Sequence, residues 1–314
     1  MNMREQKACF EREGRIYESA LLTFSGAEGF DVYNCSIPFT WAGHEYIYGR
    51  VERRDEWARS WVWLFEKRGK DAYSAVPGSM TYQLEDPYIQ HIGGEIVLGG
   101  THVRKQAGNI ETYYGYFYRG NDLENLKYFT TGPDKMKDIR LVQLEDGRIG
   151  VFSRPRGKEV EEKYGSGSVI GFAVIDRLEE LTADIIERAP VIGNLFGKGE
   201  WGGCNQCYLL KDGRVGVIGH KCYQELDAKG VDQLVYMNVA FIFDPKTHEA
   251  TEPAIIATRK SYPDAPAKMP NLADCAFTSG IVPRAHGKVD LYSGIGDTHE
   301  GRVVIDNPFG DLLA

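Results

Sequence analysis

The sequence predicts an all-β protein built as a five-bladed β-propeller, and three observations carry that prediction. The apolar runs are short, mostly four to eight residues, rich in Val, Ile, Tyr and Phe, and bounded by Gly, Asp or Asn, as strands are. Long helical periodicity is scarce; the best short candidate, "RLEELTADIIER" (177–188), reads equally well as a loop followed by a strand. A glycine-turned hairpin also recurs five times, with a residue of fixed spacing after each turn. "WAGHEYIYGR" gives Gly43 and Arg50, "IGGEIVLGGT" Gly94 and Thr101, "EDGRIGVFSR" Gly147 and Arg154, and "KDGRVGVIGH" Gly213 and His220. In "AHGKVDLYSGIGD" the turn is Gly287, the seventh position is Gly294, and Asp297 lies just beyond. Gly-Gly and Asp-Gly supply the positive φ angles that tight hairpins need.

The copies are roughly 50 to 75 residues apart. That period fits four-stranded blades around an axis; a sandwich would instead show turn signals about every 8–12 residues. Taken in order, segment 8–24 is expected to supply a strand that closes the ring beside the last blade. The blades are expected near 33–66, 84–130, 137–176, 200–245 and 274–308, so that residues 1–314 form one domain. Within them, "RRDEWARSWVWLF" (53–65) reads as a charged loop entering a Trp-rich strand, and "ETYYGYFYRG" (111–120) as a blade strand.

Composition narrows the function. A formal charge of −8 and a pI near 5.5 leave no basic excess for nucleic acid or an anionic membrane. No window approaches the roughly 18 apolar residues of a membrane span, and the N-terminus has no secretory apolar core. Six cysteines in such a chain read as reduced thiols of a cytoplasmic protein.

Hairpin geometry gathers the recurring residues. The start of a hairpin's first strand and the end of its second lie at one end. Asp86, second residue of "EDPYIQHIGGEIVLGGT", should therefore share one face of the ring with Arg50, Thr101, Arg154, His220 and Asp297. Carboxylates facing guanidiniums and an imidazole around an axis have the character of a site. Simpler roles stand beside this one: Asp86 before Pro87 initiates turns, Arg50 and Arg154 could pair with Glu85 or Asp138, and His220 could be a hydrogen-bonded rim histidine.

The same residues carry a resemblance to a known family. Glu85-Asp86-Pro87 ahead of a hairpin resembles the acid-proline element of the five-bladed propeller glycosidases, in the form seen in mannoside phosphorylases of glycoside hydrolase family 130. "YGRVERR" (48–54) is similar to that family's first-blade arginine motif, and "MKDIRLVQLEDGRIGVFSRP" (136–155) to its lysine-aspartate element and Arg-Pro strand end. "VGVIGHKC" (215–222), "YMNVAFIFDP" (236–245) and "VDLYSGIGDT" (289–298) resemble its later strand ends and last-blade signature. Tyr88 replaces the family's arginine, Lys221 its glycine, and 156–200 diverges. This marks an outlying branch, similar to the mannosyltransferase/phosphorylases of β-1,2-mannan metabolism.

The resemblance implies inverting transfer of β-linked mannosyl residues. Asp86 would be the catalytic acid, acting through the sugar 3-hydroxyl, and Arg50, Lys137, Arg154 and His220 the phosphate seat. Asp138, Asp297, Glu85 and Trp201 would contact sugar or orient the cations. The chemistry is consistent: an inverting hydrolase needs a second carboxylate to activate water, whereas phosphate is already a nucleophile and needs cations to hold it. The substrate would be a mannoside or oligosaccharide, with inorganic phosphate as co-substrate or a nucleotide sugar as donor, and no cofactor. A hydrolase on this fold, with Glu200 or Glu225 as base, and a non-catalytic sugar- or protein-binding propeller are the alternatives. Cys204-x-x-Cys207 with His220-x-Cys222 has the ligand types of a zinc site, but strand alternation should turn Cys204 and Cys207 to opposite faces; no metal is expected.

Overall fold

The computed structural model describes residues 2–193, 195–227 and 230–313. Its strands form five antiparallel-dominated sheets, the blades of a five-bladed β-propeller. Blade 1 is built on His44–Glu52, Trp61–Gly69 and Ala72–Ala75, with Asp31–Tyr33 and Phe39–Trp41 against the first of these and Thr23–Ser25 parallel to the last. Blade 2 comprises Glu85–Ile92, Glu95–Gln106, Asn109–Gly120 and Lys127–Thr131. Blade 3 comprises Arg140–Gln143, Ile149–Ser153, Ile170–Ile175 and Val191–Ile192. Blade 4 runs from Glu200–Leu209 through Val215–Leu226 and Asp232–Asp244 to Glu249–Ala250, with Ala254–Ala257 also on its third strand. Blade 5 joins Ala276–Arg284, Lys288–Ile295 and His299–Asp306 to Glu18–Leu21 from the N-terminal region.

The turn glycines behave as the repeat requires: Gly43, Gly94, Gly147, Gly213 and Gly287 all have φ between 65° and 85°. The core lies in the seams between blades. Ile96 and Leu98 enter the seam with blade 1, while Val97 between them enters the seam with blade 3. Leu141 and Val142 likewise divide between the seams on either side of blade 3. Because both faces of a blade are covered, its strands read as unbroken apolar runs rather than alternating ones.

Three of the blades extend beyond the boundaries read from the sequence. Blade 1 reaches back to Thr23 and on to Ala75, blade 3 on to Ile192 and blade 4 on to Ala257. Of segment 8–24, the strand that closes the ring beside the last blade is Glu18–Leu21; residues 8–13 instead end a helix, Met3–Glu13. That helix is polar, with only Met3 and Lys7 buried, so it lacks the apolar stripe that announces a helix. An Asn2–Glu5 capping box starts it, and Lys7–Asp274 (2.7 Å) and Arg4–Glu225 (2.9 Å) pin it to the propeller. Segment 177–188 holds a 3-10 turn, Leu178–Glu180, and a short helix, Ala183–Glu187, capped by Thr182. A further helix, Lys158–Tyr164, fills part of the divergent stretch. Among the described residues no helix is long and apolar enough to cross a membrane.

Candidate active site in the central pocket

Four Asx residues reach the axis from a backbone conformation that most L-residues avoid. Asn34, Asp86, Asp138 and Asp297 have φ of 45°, 50°, 58° and 57°. Asn and Asp tolerate this region best, and such strain tends to gather at functional sites. Asp86 is also re-aimed by a bulge between Glu85 and Tyr88. Two of the recurring residues pair beside these groups, Arg50 opposite Tyr33, next to Asn34, and Thr101 opposite Glu85, next to Asp86, while His220 lies opposite Gly203.

Arg50 is the hub of an acidic cluster. Its Nε donates to Ser60 Oγ (2.8 Å), Nη1 to Asp86 Oδ1 (2.9 Å), and Nη2 to Glu85 Oε1 (3.1 Å) and Glu52 Oε2 (3.3 Å). The Tyr33 ring lies 4.8 Å from the guanidinium carbon. Burial disfavours the Arg50 charge, but Glu85, Asp86 and Glu52 more than compensate and hold it firmly protonated. Glu52 has further support from Lys268 Nζ (2.8 Å), the Tyr33 hydroxyl and Arg59 N (2.9 Å). Burial pushes the Glu85 carboxyl upward against the pull of Arg50, with Asp86 adding to the rise; burial raises Asp297 in the same way.

Asp86 is held by one oxygen. Asn34 Nδ2 (2.8 Å) and Arg50 both donate to Oδ1, while Oδ2 is 4.0 Å from Lys137 Nζ and accepts no hydrogen bond among the described residues. On the other side of Lys137, Arg154 Nη1 meets Asp138 Oδ2 at 2.6 Å and its Nε meets Gly202 O at 2.6 Å, which leaves Nη2 uncommitted among the described residues. Burial works against the Asp138 charge, but Arg154, Lys137 and Arg140 overcome it and hold the carboxyl well below its usual range. His220 Nδ1 is 2.7 Å from Asn205 Oδ1, and its Nε2 is buried without a hydrogen-bond partner. Burial, reinforced by Arg154, drives the imidazole far toward its neutral form. A Cβ at Gly203 would lie 2.9 Å from Arg154 Cδ and 3.1 Å from His220 Cε1, so glycine there lets these two side chains lie together.

Above these groups is a pocket of about 250 Å³ lined by Arg50, Glu85, Lys137, Arg156 and Asp297. A larger groove of about 500 Å³, between Phe10 and Pro253 beside the N-terminal helix, carries none of them.

The structure thus brings Arg50, Glu85, Asp86, Lys137, Asp138, Arg154, His220 and Asp297 to one region. Four of the five N–H donors of Arg50 are engaged among the described residues, so Arg50 orients Asp86 and turns one remaining Nη1 donor to the pocket it lines. Glu200 and Trp201 are also engaged differently. Glu200 accepts from Gly197 N (2.6 Å) and pairs with Lys221 at 3.0 Å, while Trp201 lies edge-on to Tyr236, which stacks on His220. Glu225 is paired with Arg4. Cys204 and Cys207 enter the same apolar seam, not opposite faces, because a bulge at Asn205 shifts the alternation. Among the described residues no three His, Cys, Asp or Glu side chains are grouped to hold a metal.

Asn34, Glu52, Lys268 and Arg156 were not singled out in the sequence. Arg156 stands beside the Arg154-Pro155 strand end, and that proximity was its one available signal. Lys268 approaches Glu52 from a loop 216 residues away in the chain, a distance no local pattern spans.

Among curated proteins no sequence matches the chain. Among solved structures it is similar to MPT-4, a mannose phosphorylase from Leishmania mexicana in complex with phosphate ion, at 52% identity and TM-score 0.92, covering 98% of this chain and 93% of that one. It is also similar to MPT-1, a GDP-Man-dependent mannosyltransferase from Leishmania mexicana, at 45% identity and TM-score 0.91 over 98% and 95%. A β-1,2-mannobiose phosphorylase from Listeria innocua shares the fold at 14% identity, TM-score 0.62, over 89% and 91%. With residues 8–311 matched by the family model described as "Protein of unknown function (DUF1861)", the chain belongs to that family.

Proposed function

We propose that this chain is a carbohydrate-active enzyme that transfers β-linked mannosyl residues to or from phosphate, as a mannoside phosphorylase or a mannosyltransferase. The observation that carries the reading is the placement of Asp86 Oδ2, which accepts no hydrogen bond among the described residues, beside Lys137 and next to a cationic seat with donors unused among those residues. The likeness to a mannose phosphorylase and a mannosyltransferase over nearly the whole chain supports the same reading.

In phosphorolysis, hydrogen phosphate held by donors on Lys137 and Arg154 Nη2, with its own P–OH donating to the bare Nε2 of His220, attacks the anomeric carbon from the face opposite the leaving oxygen. The glycosidic C–O bond breaks with inversion, and the leaving oxygen takes the proton that Asp86 supplies, directly or through the sugar 3-hydroxyl. The new phosphate ester carries the acidic proton of hydrogen phosphate, and its release to solvent balances the reprotonation of Asp86. In synthesis the Asp86 carboxylate, oriented by Asn34 and Arg50, takes the proton of the acceptor hydroxyl. Asp138 orients Arg154, and Asp297 and Glu85 face the sugar from the pocket wall. Arg156, exposed on that wall and without an ion pair among the described residues, suits the additional phosphate of a sugar-nucleotide donor. The co-substrate is inorganic phosphate or such a donor, and no cofactor enters these steps. A cytoplasmic setting is part of the proposal, supported by six cysteines that all stand as free thiols.

The test is incubation with β-1,2-mannobiose, with and without inorganic phosphate, and separately with GDP-mannose and a mannose acceptor, each repeated with Asp86→Asn. Mannose 1-phosphate formed only with phosphate, or an elongated acceptor formed from GDP-mannose, is the expected result, lost in the variant. Free mannose formed regardless of phosphate would overturn it in favour of hydrolysis.

A further inference from the structure

The pocket has a charged floor and an apolar rim, and the rim has an aromatic ring that the chemistry above does not use. Trp57 is 61% exposed, an unusual state for the largest apolar side chain, yet it lines the same pocket as Lys137 and Asp297. Val103, Ile110 and Tyr113 complete the rim on the side of blade 2. The loop between Glu52 and Trp61 that carries Trp57 is not loosely attached. Arg59 N donates to Glu52 Oε1 (2.9 Å), Lys268 Nζ to Arg53 O (3.2 Å), and Lys105 Nζ, from the neighbouring blade, to Trp57 O. The same ammonium lies 5.4 Å from the centre of the Trp57 ring, and Ala58, next in the chain, takes a φ of 51°. An exposed indole held in place from two blades is arranged to receive a flat apolar surface.

We propose that Trp57 is the platform for the acceptor sugar, stacking on the C–H face of the pyranose ring one unit beyond the mannosyl group being transferred. This rests on the mannosyl-transfer reading: the reacting ring sits against Lys137, Glu85 and Asp297, with Asp86 4.0 Å behind Lys137, so the next ring lies at the rim. A pyranose suits the divided lining, because its hydroxyl edge is polar while its axial C–H face is apolar and stacks on aromatic rings. Trp57 is then a specificity-determining residue for the acceptor, with no part in holding phosphate.

Calorimetric titration of wild type, Trp57→Phe and Trp57→Ala with β-1,2-mannobiose, β-1,2-mannotetraose, GDP-mannose and inorganic phosphate tests this. The ring lies on the surface, so both variants should keep the wild-type melting temperature, which is checked first. Affinity for the mannosides should fall roughly 5- to 20-fold in Trp57→Ala and be largely retained in Trp57→Phe, while phosphate affinity stays the same in all three. Equal mannoside affinity in wild type and Trp57→Ala would overturn the platform alone. A loss confined to GDP-mannose would also overturn it, assigning the ring to the nucleotide base. Wild type that binds phosphate but neither mannoside nor GDP-mannose would sink the mannosyl-transfer reading and the platform with it.

Discussion

Replacing Arg50 by methionine should destabilise the protein in a manner that depends on pH. The Arg50 side chain is 7% exposed and faces Glu52, Asp86 and Glu85, whose side chains are 0%, 4% and 12% exposed. Its removal does not leave three equal orphans. Glu52 keeps Lys268, Tyr33 and Arg59 N, and Asp86 keeps Asn34, but Glu85 has no other side-chain partner among the described residues. The loss is therefore close to that of one buried ion-pair partner, about 3–5 kcal/mol. For a chain of 314 residues that is a fall in melting temperature of about 5–8 °C.

The sign of the pH dependence follows from Glu85. Burial already holds its carboxyl above the ordinary range, and losing Arg50 raises it further. A group that binds its proton more tightly when folded favours the folded state fully below its unfolded pKa, about 4.3 for Glu. That contribution is lost as pH rises through the higher folded value. The deficit of Arg50→Met should accordingly be small near pH 4.5 and grow toward pH 8, as measured by thermal melts in constant ionic strength. A deficit under about 2 °C at pH 8, or one that shrinks as pH rises, would refute the assignment of Arg50 as the counter-ion of a buried acidic cluster.

Three further substitutions separate the roles of neighbouring residues. Asn205→Ala removes the partner of His220 Nδ1 and so frees the ring tautomer; KM for phosphate should rise about tenfold, with mannoside affinity by calorimetry unchanged. Glu200→Gln should leave turnover within about threefold of wild type, because Glu200 is paired with Lys221; a loss of about 100-fold or more would make it a catalytic base. Gly294→Ala would drive a Cβ into Asn34 Oδ1, forcing Asn34 away from Asp86. Turnover should then fall about 100-fold with a far smaller change in substrate affinity, read from initial rates beside calorimetry.

What the sequence disclosed of this protein was whatever repeats. The hairpin glycines and the residues seven positions after them are periodic, so the blades and the axial positions of Arg50, Arg154 and His220 could be read together. What it hid was whatever the repeat breaks. The bulge at Asn205 adds one residue to an alternation of two, and this reverses the expected facing of Cys207. The helix Met3–Glu13 buries too little to show a stripe, and its ties to Asp274 and Glu225 cross most of the chain. Lys268 and Asn34 escaped for the same reason: each is identified as part of the site only by its partner, Glu52 or Asp86.

That division bears on how the charges work. Sequence places cations and carboxylates at one end of the ring, but not which of them neutralise one another. In the structure Arg50 spends four of its five donors on Ser60 and three acids, and Arg154 spends two of its nitrogens on Asp138 and Gly202. What remains open among the described residues is Lys137, one nitrogen of Arg154, one donor of Arg50, the bare Nε2 of His220 as an acceptor, and one oxygen of Asp86. A phosphate ion needs donors that are already fixed in place, and desolvating fully charged, unpaired arginines to provide them would be costly. Pairing each guanidinium with a carboxylate keeps it buried and oriented while leaving part of its fork open. The carboxylates that a count of charges would set against phosphate binding are thus what makes a buried cationic seat possible, and Asp138→Asn should weaken phosphate binding rather than strengthen it. Tighter binding of phosphate by that variant in calorimetry would show that Asp138 opposes the anion instead of positioning Arg154.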